Sequence, residues 1–385
     1  MRVHWDGSAA ILALILAACA AYLMQQWESD ENWKFNLLIV ILPRLIEPPV
    51  EKYLDQPMAK QMVKTQRMRN QMEMLVANEH SLRFAMGDNI ADASYGRNAT
   101  RVATLQMKGL SSSHQSIEVV CACPHDATED DVLPLIFFFH SGGLIVGSVN
   151  AELHKARYLA QNAEAVVCSL EYRLAPEHPY PAGLDDCVET TLAILVDGGR
   201  RNSIAKALSI GGVDTDKVAT FGLSAGGYLS AHVARELTAA GHNLALQVSL
   251  VPMVQPHGGG TASMFRHWHA PMWNGPLNLW AWYLYLSKDV AGTLANHYRV
   301  NLLVDPPDED TVGRLPPTYI QIHTKDVLRD EGERYANRLK EQGKLLRLDE
   351  YNTNHVGGAL PGLASGGPGA HAFEDAVNVV VEHLR

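Results

Sequence analysis

The sequence has few cysteines, and their spacing excludes the common metal and redox patterns. None of the five cysteines in the 385 residues is in a Cys-x-x-Cys motif, the spacing typical of zinc sites and thioredoxin-like centres. Cys121 and Cys123 alternate along an apolar run and share one face, which favours packing as small apolar residues. The sequence leaves open whether Cys168 and Cys187 form a disulfide. We expect no bound metal ion.

The chain also lacks any run of lysine and arginine, and its formal net charge is −10. Proteins that bind nucleic acid usually carry a basic patch, so we expect no nucleic-acid partner. Hydrophobic residues make up 47% of the chain and charged residues 19%, which is typical of a globular protein with a sizeable core. The length fits two domains, or one large α/β domain with a cap.

Residues 9–24 are almost entirely apolar and approach the length of a membrane span. Arg2 precedes them and acidic residues follow, an asymmetry that leaves the protein body on the non-cytoplasmic side. An uncleaved signal anchor is favoured; a cleaved signal peptide, a lipoprotein signal at Cys19 and a buried cap helix stay open. Residues 1–31 are therefore assigned to a signal anchor or signal peptide. We expect a membrane-anchored or secreted protein.

The rest of the chain alternates short apolar runs with helical patterns. This alternation predicts a mostly parallel central sheet with helices on both faces. Residues 32–100 predict a helical cap, with methionines at helical spacing between Met58 and His80, and residues 101–385 form the main domain. The predicted strands are Ala103–Leu105, Ile117–Cys123, Leu133–His140, Ala165–Ser169, Lys217–Phe221, Ala245–Val251, Thr318–His323 and Lys344–Tyr351.

The most informative segment is Gly222-Leu223-Ser224-Ala225-Gly226, between a predicted strand and a helical run. It has the pattern of a nucleophile elbow, in which a serine on a sharp turn projects above the sheet. The glycines let strand and helix approach closely. Ser224 also begins the helix, whose N–H groups favour a nearby negative charge. A glycine-rich turn without chemistry is the alternative, so a base, an acid and further donors are required elsewhere.

A serine nucleophile needs a histidine base and an acid that orients it. In this type of fold the acid and then the histidine follow the serine along the chain, each after a later strand. Asp326 and His355 meet that requirement and are the predicted acid and base. Asp330 is a less favoured acid because it begins a helix, where acids are expected for other reasons. His371 is a less favoured base, and His323 is expected to be structural.

An oxyanion formed at the serine needs backbone N–H donors. One is expected from Ala225, the residue after the nucleophile, and the others from the loop after the third strand, which contains Gly142 and Gly143. The segment 257–260 spells His-Gly-Gly-Gly. Because it follows the serine along the chain, we expect it to be a loop without this role.

These segments together resemble the hormone-sensitive-lipase-like branch of the α/β-hydrolases, which includes arylacetamide deacetylase-like enzymes. Residues 171–186, EYRLAPEHPYPAGLDD, nearly copy the signature that follows the fourth strand in that family, and the resemblance covers about residues 100–385. It implies an α/β-hydrolase fold with a cap built largely from the N-terminal helices. It also implies a catalytic triad of Ser224, Asp326 and His355. It implies an oxyanion hole made by Gly142, Gly143 and Ala225.

The resemblance implies a carboxylesterase that needs no cofactor. Ser141 departs from the pattern, since the family usually has glycine there. The stretch from Met264 to Leu286 contains four of the seven tryptophans and predicts either a core helix or the wall of an apolar pocket. The pocket would favour small, hydrophobic esters of short to medium chain length. An amidase or deacetylase with the same triad, or a non-catalytic receptor on this scaffold, stays open.

Overall fold

The computed structural model describes residues 58–77, 100–111, 115–199, 201–270, 273–287, 294–357 and 371–384. The predicted signal segment, residues 1–31, lies outside these described residues, as does much of the predicted cap. Among the helices that are described, none combines the length and the apolar character that a membrane crossing requires.

The main domain is built on one eight-stranded sheet with the strand order β1-β2-β4-β3-β5-β6-β7-β8. β2 pairs antiparallel with β1 and with β4, and every other neighbouring pair is parallel. The predicted mostly parallel sheet is therefore confirmed. The strands are β1 Thr100–Lys108, β2 Ser116–Pro124, β3 Val132–Phe139, β4 Val166–Leu170, β5 Gly212–Leu223, β6 Leu246–Leu250, β7 Thr318–His323 and β8 Leu345–Tyr351.

Helices connect these strands and cover the sheet. A short 3₁₀ helix, Pro256–Gly260, follows β6, and another lies at Leu294–Asn296. The α-helices are α1 Met58–Ala77, α2 Val149–Ala163, α3 Ala182–Asp197, α4 Ser203–Leu208, α5 Ala225–Ala239, α6 Ala262–Arg266, α7 Gly275–Tyr285, α8 Glu309–Arg314, α9 Arg329–Glu341 and α10 Ala372–Leu384.

The apolar run of β3 shows why the sheet is buried on both faces. Alternate strand residues point to opposite faces: Phe137 belongs to the same core cluster as Leu229 of α5, whereas Phe138 belongs to the cluster that contains Leu159 of α2 and Phe373 of α10. A strand covered on both sides needs a continuous apolar sequence rather than an alternating one. The Leu-Ile-Phe-Phe-Phe run meets that need.

A disulfide joins β2 to β4 and corrects the expectation for the cysteines. Cys121 and Cys168 are directly opposed in the antiparallel pair and are bonded to each other. Packing alone is therefore wrong for Cys121, and the Cys168–Cys187 pair does not form. Cys123 and Cys187 are buried free thiols. Spacing along the chain could not reveal the partners, because the pairing of β2 with β4 decides them.

The structure has a helix, α1, in the segment predicted as a cap, and its buried residues include polar side chains as well as methionine. Gln61 and Thr65 are fully buried, whereas Met62 is exposed and Met68 packs at the edge of the core. The buried amide of Gln61 has a specific partner, since the indole N–H of Trp280 donates to its Oε1 at 2.9 Å. This hydrogen bond allows the polar side chain of Gln61 to be buried in α1.

Arg69 fastens α1 to two loops of the main domain. Its Nε donates to the carbonyl of Ile145 at 2.8 Å, and its Nη2 donates to the carbonyl of Ala175 at 2.8 Å. The same Nη2 forms an ion pair with Glu177 at 2.8 Å. These loops follow β3 and β4, so α1 rests above the carboxyl end of the sheet.

Replacing Arg69 with methionine should reduce the free energy of unfolding by about 1–3 kcal/mol, because two backbone carbonyls lose a charged donor. Chemical denaturation measures this change. Arg67→Met is the matched control, since Arg67 is exposed on the same helix and its loss should change stability by less than about 0.5 kcal/mol. Equal effects of the two variants would contradict the anchoring role of Arg69.

Candidate active site

Three polar side chains meet at the edge of the sheet where the parallel strands end. Ser224 directly follows β5, Asp326 follows β7 and His355 follows β8. The Nε2 atom of His355 lies 2.9 Å from the Oγ of Ser224, and its Nδ1 lies 2.6 Å from Oδ2 of Asp326. The fold therefore brings together the three residues predicted from the sequence, although 131 positions separate the serine from the histidine.

Ser224 occupies a sharp turn with φ 55° and ψ −118°. A non-glycine residue rarely adopts positive φ, and such strain persists only where neighbours hold it. Here the Ser224 N–H donates to the carbonyl of Leu250 at 2.8 Å. A Cβ at Gly222 would lie 2.2 Å from the backbone of Gly226, and one at Gly226 would lie 2.0 Å from the carbonyl oxygen of Phe139. Both glycines are thus required for the turn.

Asp326 is fully buried and held in one orientation. Its Oδ1 accepts from the N–H of Leu328 at 3.0 Å, while Oδ2 faces His355. A carboxylate can only accept, so the Nδ1 of His355 carries the ring proton toward Asp326. Nε2 is then free to accept from the hydroxyl of Ser224. This is the tautomer that a general base at His355 needs.

The less favoured candidates all lie elsewhere. The buried ring of His323 hydrogen-bonds to Gln321 and to a backbone carbonyl, and burial lowers its pKa to about 4. Asp330 accepts from the N–H of Ser263 at 2.8 Å. His371 is exposed and pairs with Glu374 in the first turn of α10. None of the three therefore takes the place of Asp326 as the acid or of His355 as the base.

Gly142 and Gly143 lie in the loop that follows β3. Both have positive φ, 118° and 62°, and the carbonyl of Gly142 accepts from the N–H groups of Ile145 and Val146 at 3.2 and 3.0 Å. The loop abuts the first turn of α5, because a Cβ at Gly226 would lie 2.9 Å from the carbonyl oxygen at position 140. The two predicted glycines are therefore beside the turn that carries the serine.

The His-Gly-Gly-Gly segment lies apart from this loop. It forms the short 3₁₀ helix after β6, and Gly259 and Gly260 are exposed. The two glycine-containing segments are thus distinguished by their positions in the fold and not by their sequences. The loop after β3 that contains Gly142 and Gly143 is called the glycine loop below.

Trp273 forms a wall beside both the base and the glycine loop. Its ring stacks on His355 with centroids 5.8 Å apart and planes 28° apart, and a Cβ at Gly143 would lie 2.2 Å from it. Trp280 and Trp282, by contrast, are fully buried in the core. Within the aromatic stretch, α7 packs in the core, whereas Trp273, two residues before α7, contacts His355.

The signature segment supports the loop rather than contributing reactive groups. The Tyr172 hydroxyl donates to the carbonyl of His140 at 2.8 Å, and the two rings stack. Arg173 forms a bidentate ion pair with the buried carboxylate of Asp186. These contacts give the segment a supporting role.

Sequence reasoning missed Glu152, which lies behind the glycine loop. The hydroxyl of Ser141 donates to the buried carboxylate of Glu152 in α2, and Lys155 lies 3.2 Å from the same carboxylate. An acid and a lysine three positions apart were the available signal. Over the part of the chain that the structure describes, no group of three or more histidine, cysteine or acidic residues could hold a metal ion.

Comparisons with known proteins show the family to which the fold belongs. A family model described as the alpha/beta hydrolase fold matches residues 136–356, more than half of the chain. An arylesterase of Saccharolobus solfataricus is 33% identical over 213 residues, covering 54% of this chain and 63% of the relative. The carboxylesterase NlhH of Mycobacterium tuberculosis is 33% identical over 229 residues, covering 58% of this chain and 66% of the relative. The chain thus spans just under two thirds of these relatives.

Solved structures extend the likeness over more of the chain. An esterase of Pyrobaculum calidifontis has a TM-score of 0.66 and 26% identity, covering 83% of this chain and 92% of its own. A thermostable esterase from Pseudomonas putida has a TM-score of 0.70 at 23% identity, covering 88% and 93%, and this likeness concerns the fold. The chain therefore belongs to the alpha/beta hydrolase fold family, in the hormone-sensitive-lipase-like branch that its sequence resembles.

Proposed function

We propose that this protein is a serine carboxylesterase in which Ser224 is the nucleophile, His355 the general base and Asp326 the orienting acid. One observation carries the proposal: the continuous hydrogen-bond chain from the Ser224 hydroxyl through the His355 ring to the Asp326 carboxylate, with distances of 2.9 and 2.6 Å. The arylesterase and carboxylesterase names of two relatives support it.

The proposed reaction begins when His355 accepts the hydroxyl proton of Ser224 and Oγ attacks the ester carbonyl carbon. The carbonyl oxygen becomes an oxyanion, which the backbone N–H groups of Gly142, Gly143 and Ala225 stabilise. The carbon–oxygen bond to the alcohol breaks as His355 gives its proton to the leaving alcohol. Water, deprotonated by His355, then attacks the acyl-enzyme and releases the acid and the free serine.

Burial makes each of these groups effective. Asp326 is fully buried, and Ser224 and His355 are 4% and 5% exposed. In such surroundings the attraction between the Asp326 carboxylate and a protonated His355 is stronger than in water. The carboxylate therefore stabilises the imidazolium that forms during attack.

We propose hydrophobic esters of short to medium chain length as substrates. Trp273 offers an apolar ring between His355 and the glycine loop, next to where an ester carbonyl must lie to react. The intact Ser224–His355 hydrogen bond argues against a purely receptor role, because ligand binding does not need a base there. Comparing aryl esters with aryl amides separates an esterase from an amidase.

We also propose that the main domain works on the non-cytoplasmic side of a membrane, through an anchor or a secretion signal at residues 9–24. The support within the fold is the disulfide between Cys121 and Cys168, because disulfides persist in oxidising compartments and are rare in the cytosol.

Labelling with a fluorophosphonate probe tests the nucleophile. The probe should modify the wild type and Ser203→Ala, which removes an exposed hydroxyl at the start of α4. Ser224→Ala should not react, because it lacks the hydroxyl that hydrogen-bonds to His355. Mass spectrometry locates the adduct. Labelling of Ser224→Ala, or failure of all three proteins to react, would contradict the assignment.

Replacing Asp326 with asparagine should lower kcat by about 10⁴-fold, because an amide can donate to Nδ1 and hold the wrong ring tautomer. Hydrolysis of p-nitrophenyl butyrate measures the loss. Asp330→Asn is the matched control, since Asp330 pairs instead with Arg329 and the N–H of Ser263; it should retain kcat within about threefold. The assignment of the acid would be reversed if Asp330→Asn were the inactive variant.

Two glycines with the same backbone angle allow a controlled test of the oxyanion loop. Gly143 and Gly260 have φ of 62° and 61°, but an added Cβ meets the Trp273 ring at Gly143 and nothing within 4 Å at Gly260. Gly143→Ala should therefore reduce kcat by about 10²–10³-fold by displacing an N–H donor. Gly260→Ala should keep wild-type kcat despite similar strain. Equal kcat values in both variants would exclude Gly143 as a donor.

A further inference from the structure

The glycine loop is tied from behind to the first turn of α2. Ser141, which immediately precedes Gly142, donates its hydroxyl hydrogen to Oε1 of Glu152. Lys155, one turn later on the same helix, lies 3.2 Å from that oxygen. Glu152 and Lys155 are only 8% and 5% exposed. A hydroxyl, a carboxylate and an ammonium group therefore form a buried cluster directly behind the loop.

The local chemistry keeps Glu152 ionised. Burial acts to raise the pKa of Glu152, but the charge of Lys155 and the hydroxyl of Ser141 outweigh it, so the pKa is lowered. The first turn of α2 adds the positive end of a helix dipole. An ionised carboxylate only accepts hydrogen bonds, which obliges Ser141 to donate. The direction of the hydrogen bond, and with it the orientation of the Ser141 side chain, is fixed.

The glycines themselves have no side chain that could fix their N–H groups. Gly142 and Gly143 both occupy positive φ, and the directions of their N–H groups depend on what holds the residues on either side. On the far side, Arg69 binds the carbonyl of Ile145. On the near side, Tyr172 binds the carbonyl of His140, and the Ser141 hydroxyl reaches into α2.

We infer that Ser141 and Glu152 are positioning residues for the oxyanion glycines, and that Lys155 neutralises Glu152 so that its charge does not oppose the oxyanion. The inference rests on the proposed esterase function and deepens it. Ser141 stands where the resembled family usually has glycine, a residue without a hydroxyl. The tether through Ser141 is thus a property of this chain's own residues.

A positioning role predicts a loss in the transition state and not in substrate binding. Ser141→Ala removes only the hydroxyl and should lower kcat for p-nitrophenyl butyrate by about tenfold, a fraction of the loss from removing a whole donor, with KM unchanged within twofold. A trifluoromethyl ketone forms a tetrahedral adduct with an oxyanion. Its Ki should rise by the same factor as kcat/KM falls, because analogues follow transition-state binding.

The charge argument has its own test in α2. Lys155→Met leaves the Glu152 carboxylate buried and unneutralised, so kcat should fall and Ki of the ketone should rise. The double variant Glu152→Gln/Lys155→Met removes both charges and should recover most of the loss, a coupling that a merely destabilised helix would not show. Denaturation curves of each variant establish that the measured protein is folded.

Ser148→Ala is the matched control, because Ser148 caps α2 at its start without touching Glu152. It should cost about 1 kcal/mol of stability and leave kcat and Ki unchanged. Wild-type kcat and Ki in Ser141→Ala would overturn the inference, as would losses in Ser148→Ala equal to those in Ser141→Ala, or a double variant worse than Lys155→Met. An inactive wild-type enzyme would instead overturn the proposed function, and the inference with it.

Discussion

The structure depends on one requirement: the imidazole of His355 must lie between a hydroxyl and a carboxylate supplied by different strands. Parallel strands meet it because their carboxyl ends all reach the same edge of the sheet. β5, β7 and β8 deliver Ser224, Asp326 and His355 to that edge, where the His355 ring lies 2.9 Å from the Ser224 hydroxyl and 2.6 Å from the Asp326 carboxylate. The buried run of β3 and the strained turn at Ser224 serve this arrangement. Both features help to keep the sheet rigid beneath the site.

The residues that meet at the edge were predictable because the order of strands and loops encodes them. Each of Ser224, Asp326 and His355 follows a segment that the sequence predicts as a strand, and the topology of a parallel sheet turns that order into proximity. Gly142 and Gly143 were separated from the look-alike glycines at 258–260 by the same logic. A pattern along the chain was sufficient wherever the relevant partner was the sheet itself.

Prediction failed where the partner lies on an element that periodicity does not reveal. Cys121 bonds to Cys168 because β2 pairs antiparallel with β4, a neighbour relation that spacing cannot supply. The buried face of α1 includes the amide of Gln61, which accepts from the indole N–H of Trp280, whereas the sequence pattern pointed only to the methionines. Glu152 faces the Ser141 hydroxyl only because the fold packs α2 behind the loop after β3. In each case a specific polar or covalent pair outweighed the average tendency of the residue type.

The anchoring of α1 through Arg69 links this helix to the loop that contains Gly142 and Gly143. The Ile145 carbonyl that receives the Arg69 guanidinium belongs to the same tight turn as the carbonyl of Gly142. A ligand that entered by lifting α1 would release this turn, and the turn would regain its restraint only when α1 settled again. A raised α1 that lets a substrate enter and a restrained turn at Gly142 would then not occur at the same time. A bulky ester that holds α1 outward would therefore be bound and yet turned over slowly.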